Sequence, residues 1–181
     1  MDAGVQDGVP EGIAARYLVR LLLEQFRHGI VRTYLYELLD TEIPARGVRD
    51  RYGLCRSDFS PKPAFVAVQS LLRLLADDGS KADALDFKVS GGREDLHHSF
   101  FENGKGEFFL MMWVEEPGYD VNGRRMLAVP VQQVRVTLPG VMSVETVWFG
   151  EDGAVVRVGV QTASSISVAV DDRVTILHLR R

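Results

Sequence analysis

From Pro10 the chain sets apolar and polar positions at the period of a helix. Ile13, Tyr17 and Leu21 form one row at spacing four, with Ala14, Leu18, Leu22 and Phe26 beside it. Glu11, Arg16, Arg20, Glu24 and Arg27 take the opposite side, which predicts an amphipathic helix. Gly29 is placed as its C-cap, because glycine accepts the left-handed conformation that ends helices. Ile30 to Leu39 then carries β-branched and aromatic residues with apolar side chains on both faces, predicting a buried strand that ends in Tyr36-Glu37. Thr41 to Asp58 is charged, punctuated by Gly and Pro and without a period, so it reads as a long loop, and loops of that length in compact units are usually functional. Ser60-Pro61 supplies an N-cap and a proline for the first position of a second helix, with Ala64, Phe65, Val68, Leu71, Leu72 and Leu75 as its apolar face. Asp77-Asp78-Gly79 ends it.

After Lys81 the pattern shortens to strands. The expected runs are Leu85 to Val89, Leu96 to Phe101, Glu107 to Glu115, Val131 to Leu138, Val144 to Phe149, Ala154 to Val160, Ser165 to Val170 and Val174 to Leu179. Asn103-Gly104 between two hydrophobic runs is the strongest hairpin signal, and Pro139-Gly140, Asp152-Gly153 and Asp171-Asp172 mark further turns. Short strands with no helix between them predict an antiparallel β-sandwich. The fold class is therefore mixed α+β: a helix–strand–helix segment over residues 1–80, then the sandwich over residues 81–181, with a boundary near Asp78 to Ala84. Met1 to Val9 reads as a loop or frayed end.

Composition narrows the classes. With 181 residues and 46% apolar content the chain can bury a core. A formal charge of −4 with both signs interspersed argues against a nucleic-acid partner, which needs Lys and Arg gathered on one face. The longest aliphatic stretch, Tyr17 to Leu23, is interrupted by Arg20 and too short for a bilayer, and the acidic N-terminus does not read as a signal peptide, so neither a membrane partner nor an anchor is expected. One cysteine, Cys55, excludes an internal disulfide and makes a reducing compartment the simpler expectation.

Tyr34-Leu35-Tyr36-Glu37-Leu38-Leu39-Asp40, then Tyr52-Gly53-Leu54, then Asp58-Phe59-Ser60-Pro61-Lys62-Pro63-Ala64-Phe65 resembles the closing segment of (β/α)8-barrel glycoside hydrolases of the family 39 and family 5 type. In those enzymes the last barrel strand often ends in an aromatic and acidic pair, a Ser/Thr-Pro-Lys-Pro-Ala-aromatic run starts the final helix, and a small β-sandwich commonly follows. Gly106 to Trp113 looks like the central hairpin strand of such a sandwich. The resemblance implies that this chain is the C-terminal portion of such a protein, without its catalytic carboxylates. Those stand about 5 Å apart in retaining enzymes, at the ends of strands four and seven, and the chain begins after the seventh. No residue is assigned a catalytic role.

Tyr36 and Glu37 are the candidate substrate-binding residues, because the carboxyl ends of barrel strands form the active face. A tyrosine there can stack on a pyranose while a carboxylate accepts sugar hydroxyls. The competing expectation is a core tyrosine and a glutamate paired to Arg32. The expected partners are carbohydrate and either a second copy or a complementary barrel segment, with no cofactor and no metal. His97-His98 point to opposite faces of a strand and lack a Cys or acidic partner at metal-ligand spacing. Cys55 has no activating neighbour. Trp113 and Trp148 lie in apolar runs and are expected in the core, while Asp120-Val121-Asn122-Gly123 matches only the start of a calcium loop. No phosphate loop, zinc motif or nucleophile elbow is present. The alternative function is a non-catalytic β-sandwich module for carbohydrate binding or interaction.

Overall fold

The structure is a computed structural model that describes residues 8–43, 48–76 and 84–181. The expected frayed end (residues 1–7), the tip of the long loop (44–47) and most of the expected boundary (77–83) lie outside the described residues. Helix α1 (Glu11–Arg27) is followed by a short hairpin of β1 (Thr41–Ile43) and β2 (Val48–Asp50), then by helix α2 (Pro63–Leu74). The main sheet comprises β3 (Lys88–Ser90), β4 (Leu96–Glu102), β5 (Glu107–Val114), β8 (Gln132–Phe149), β9 (Val155–Val170) and β10 (Thr175–Arg180), with a small ribbon of β6 (Tyr119–Asp120) and β7 (Arg125–Met126) beside it. Every pairing between these strands is antiparallel, so the molecule is of the mixed α+β class expected.

The sheet is one six-stranded surface in the order β3-β8-β10-β5-β4, with β9 along β8. Because β9 flanks β8 over nearly its whole length, β3 and β10 share the other edge, β3 beside residues 135–137 and β10 beside 143–148. The long pair curls the sheet, and strict alternation along β5 shows its two faces. Phe108, Leu110, Met112 and Val114 enter an inner core with Val136, Val144, Ile166, Leu177 and Leu179, while Phe109, Met111 and Trp113 pack outward under the helices. The outer cluster is closed by Ala15, Val19 and Leu23 of α1 and Ala64, Ala67 and Leu71 of α2.

Four expectations are corrected. Pro139-Gly140 is not a turn but lies within β8, where residues 138–141 face a single residue of β9 between the pairs Thr137↔Ser165 and Met142↔Ala163. An irregularity of that size bends a strand without ending it, so the two expected runs on each side form one β8 and one β9. In α1 the buried apolar residues are Ile13, Ala15, Val19 and Leu23, so of the expected Ile13–Tyr17–Leu21 row Ile13 alone is fully buried. Leu21 and Phe26 are exposed, and Arg20 is buried, donating to the Glu116 carbonyl at 3.0 Å and to the Glu115 carboxylate. α2 starts two residues late, with Lys62 as N-cap and Pro63 in the first turn. Ser60 is engaged elsewhere: its amide donates to Asp58 Oδ1 at 2.9 Å and its carbonyl accepts from Arg56.

The fourth correction concerns the expected strand at Ile30 to Leu39. It is irregular, with bends at Tyr36 and Leu38, and among the described residues it joins no sheet, having only an isolated bridge between Leu39 and Cys55. A strand exists only through a neighbour's hydrogen bonds. Among the described residues the backbone of residues 31–36 makes none. The long loop, read as patternless, contains the β1–β2 pairing, with Thr41 opposite Asp50 and Ile43 opposite Val48.

Candidate functional site

Residues 30–40 form an irregular ledge fixed at both ends. At its start, Gly29 takes φ +76°, the Gly29 and Ile30 amides donate to the Phe26 and Gln25 carbonyls, and α1 is thereby ended as expected. At its other end the ledge meets residues 52–55. Leu54 and Cys55 amides donate to the Glu37 and Leu38 carbonyls at 2.9 and 2.8 Å, and the Asp40 amide donates to the Cys55 carbonyl at 2.9 Å. The approach is so close that a Cβ on Gly53 would sit 2.3 Å from the Asp40 nitrogen, which is why glycine occupies that position.

Burial alternates along the ledge. Thr33, Leu35, Glu37 and Leu39 are half-buried, whereas Tyr34, Tyr36 and Leu38 stand 82%, 80% and 61% exposed and Val31 is wholly exposed. Tyr36 is therefore not a core residue. The peptide between Tyr36 and Glu37 is cis. Glu37 is approached by the Thr41 hydroxyl at 3.3 Å from each carboxylate oxygen, and Arg32 reaches the Tyr34 hydroxyl at 3.4 Å rather than Glu37. The two candidates are adjacent, an open aromatic face and a carboxylate with accepting capacity to spare.

Asp40 is withdrawn from any such role. Its Oδ1 accepts from the Gly53 amide at 2.9 Å and from Lys62 Nζ at 2.6 Å, with both side chains of the ion pair buried. Lys62 also donates to the Arg51 carbonyl at 3.1 Å. This lysine is the residue that the sequence did not single out, and it holds the loop, the ledge and the start of α2 on one charge. The signal available was its place between two prolines before a helix.

A second group of charges lies on the outer face of the sheet. His178 is 7% exposed, stacks on Phe109 at a centroid distance of 4.5 Å, and stands 3.3 Å from Glu107 and 3.4 Å from Glu145. Burial, then the Arg180 charge, pushes its imidazole below the ordinary value. The hydrogen bond from Asn103 holds Glu107 low against a burial penalty, while in Glu145 the Arg157 hydrogen bond and charge outweigh burial. Both carboxylates are thus ionised and tied to neighbours, a structural network rather than an acid and a nucleophile. His97 and His98 point to opposite sides as expected, His97 half-buried beside Glu24 at 3.2 Å and His98 exposed. Trp113 is fully buried with its indole N–H on Glu115 at 2.8 Å, whereas Trp148 is half-buried and belongs to neither apolar cluster. No described helix is long and apolar enough to cross a membrane. Comparison with protein-family models and with curated proteins found no match for this chain.

Proposed function

We propose that this chain is the C-terminal portion of a glycoside-hydrolase-like protein, in which residues 30–40 form the last strand of a barrel completed by a complementary segment, and the curled sheet is an accessory layer. The observation that carries this reading is the ledge itself. A segment whose backbone makes no backbone hydrogen bond over residues 31–36 among the described residues, and whose exposed side chains include Val31, Tyr34, Tyr36 and Leu38, presents what a neighbouring strand and a covering layer need. Within a completed barrel, Tyr36 and Glu37 face a carbohydrate at the carboxyl end of the strand, and the catalytic carboxylates come from the complementary segment.

Without that segment the ledge is an association surface. Sedimentation of the purified chain is expected to show concentration-dependent self-association. Replacing Tyr34, Tyr36 and Leu38 together by Ser is expected to return it to a monomer without loss of folded signal. A wild-type chain that stays monomeric at high concentration overturns the reading, as does aryl-glycoside turnover that depends on Glu37 in the isolated chain.

A further inference from the structure

The inner rows of the curled sheet change character at one end. Along β8 the inward side chains run Met142, Val144, Thr146, Trp148, and along β10 they run Leu179, Leu177, Thr175. Thr175 stands opposite Trp148 and Leu177 opposite Thr146, so the two threonines and the tryptophan meet where the aliphatic core stops. A cleft of about 370 Å³ opens there, lined by these three residues, by Val168 and its neighbours on β9, and by Asp171 and Arg173 of the β9–β10 turn. That volume lies within the range of small-molecule sites.

The lining is not what a core end needs. Valine would fill the volume of either threonine without a polar atom, yet Thr146 and Thr175 stand here, without a side-chain hydrogen bond among the described residues and with neither hydroxyl among the side-chain atoms that are both sealed and unpartnered. Their hydroxyls therefore reach the cleft, where water bonds them in the free chain and a ligand hydroxyl can take its place. Trp148 adds a large aromatic surface that neither apolar cluster uses. The charges at the rim are self-compensated: Arg173 Nη2 lies 2.6 Å from Asp171 Oδ2 and its Nε donates to both carboxylate oxygens at 3.2 and 3.0 Å. A neutralised pair gives little attraction to an ion, but keeps lone pairs and N–H groups for hydroxyls.

We propose that this open end of the sheet binds a neutral polyhydroxylated ring, a pyranose, with Trp148 as its apolar platform and Thr146, Thr175 and the Asp171–Arg173 pair as its polar partners. The site is separate from the ledge and does not depend on a completed barrel.

The chain has two tryptophans, and Trp113 is sealed under the helices, so a ligand-induced change in fluorescence reports on Trp148. Titration of the full chain with the methyl glycosides of glucose, galactose, mannose and xylose is expected to give a saturable change with at least one of them, in the low-millimolar range. Trp148→Ala, followed by calorimetry, is expected to weaken that binding at least about tenfold. Thr175→Val, which keeps shape and volume, is expected to weaken it about three- to tenfold with an unchanged melting temperature. Should Trp148→Ala fail to fold, Thr175→Val decides. Absence of binding by all four glycosides, affinity unchanged in the variants, or inorganic phosphate binding as tightly as the best glycoside would each overturn the proposal.

Discussion

One hydrogen atom in place of a methyl group sets how closely the β8–β9 turn approaches α2. Gly153 sits at φ +78°, and a Cβ there would lie 2.1 Å from the Pro63 carbonyl oxygen and 2.7 Å from the Ala67 nitrogen. Those neighbours are backbone atoms of a helix start and cannot step aside. Gly153→Ala is therefore expected to cost more than about 2 kcal/mol, the sum of a left-handed alanine and a displaced helix. Gly140 has open space around its would-be Cβ, and Gly140→Ala is expected to stay within about 0.5 kcal/mol. Urea denaturation of both variants checks the contrast, and equal losses would show that α2 yields to the turn. Asp152-Gly153 was readable as a turn from its residue types. That the same glycine also admits a helix depends on an approach between segments about ninety residues apart, for which local sequence carries no mark.

At the scale of elements, α1 is held to the sheet by charge as well as by its apolar face. Arg16 Nη1 donates to both oxygens of Asp172 at 3.0 and 2.8 Å, and both side chains are largely buried at the β9–β10 turn. Removing one partner leaves the other desolvated without compensation, so Asp172→Ala is expected to destabilise by about 2–3 kcal/mol and to speed amide exchange throughout α1. Glu151, the other carboxylate on Arg16, is 69% exposed, and Glu151→Ala is expected to change stability by less than about 0.5 kcal/mol. Slow α1 exchange in the Asp172 variant would assign the docking of the helix to Ala15, Val19 and Leu23 alone. The elements themselves were legible where a local signal decides. Gly29 ends α1, Asn103-Gly104 makes the β4–β5 hairpin, with Asn103 Oδ1 accepting from the Lys105 and Glu107 amides, and the doubly apolar β5 is buried on both faces. They were illegible where the partner decides. Residues 30–39 have the composition of a strand but, among the described residues, no neighbour beyond the single Leu39–Cys55 bridge, and Pro139 is tolerated inside β8 because four residues there face one on β9. Tyr36 and Glu37 could be located from sequence, whereas Lys62, Trp148 and Thr175 gained their interest only from what the fold set beside them.

For the whole molecule, the shifted groups of the sheet and of α1 push stability in one direction with pH. His178, faced by Glu107, Glu145, Arg157 and Arg180 with Phe109 stacked on it, has its imidazole held below the ordinary value by burial first and by Arg180 second. A lowered histidine favours its neutral form in the folded chain, so as pH falls through the unfolded value of about 6.5 the denatured state takes up a proton that the native state refuses. Stability present above that pH is lost on descending to the native value. His98 acts in the same sense, through partial burial and the charges of Arg27 and His97, but is the more exposed of the two and contributes less. Glu24, Glu107, Glu145 and Asp171 are held below the ordinary carboxylate range by hydrogen bonds and charge from their neighbours, against burial in every case. Their contribution persists until pH falls below about 4.5 and then declines in a second limb. The urea midpoint is thus expected to be level above neutrality, to fall gently from about pH 6.5 and to fall steeply below about 4.5. His178→Gln should flatten the first limb more than His98→Gln does, and leave the second in place. A first limb that survives His178→Gln unchanged would mean that the buried imidazole is already protonated in the native state, its burial cost met by Glu107 and Glu145 on either side.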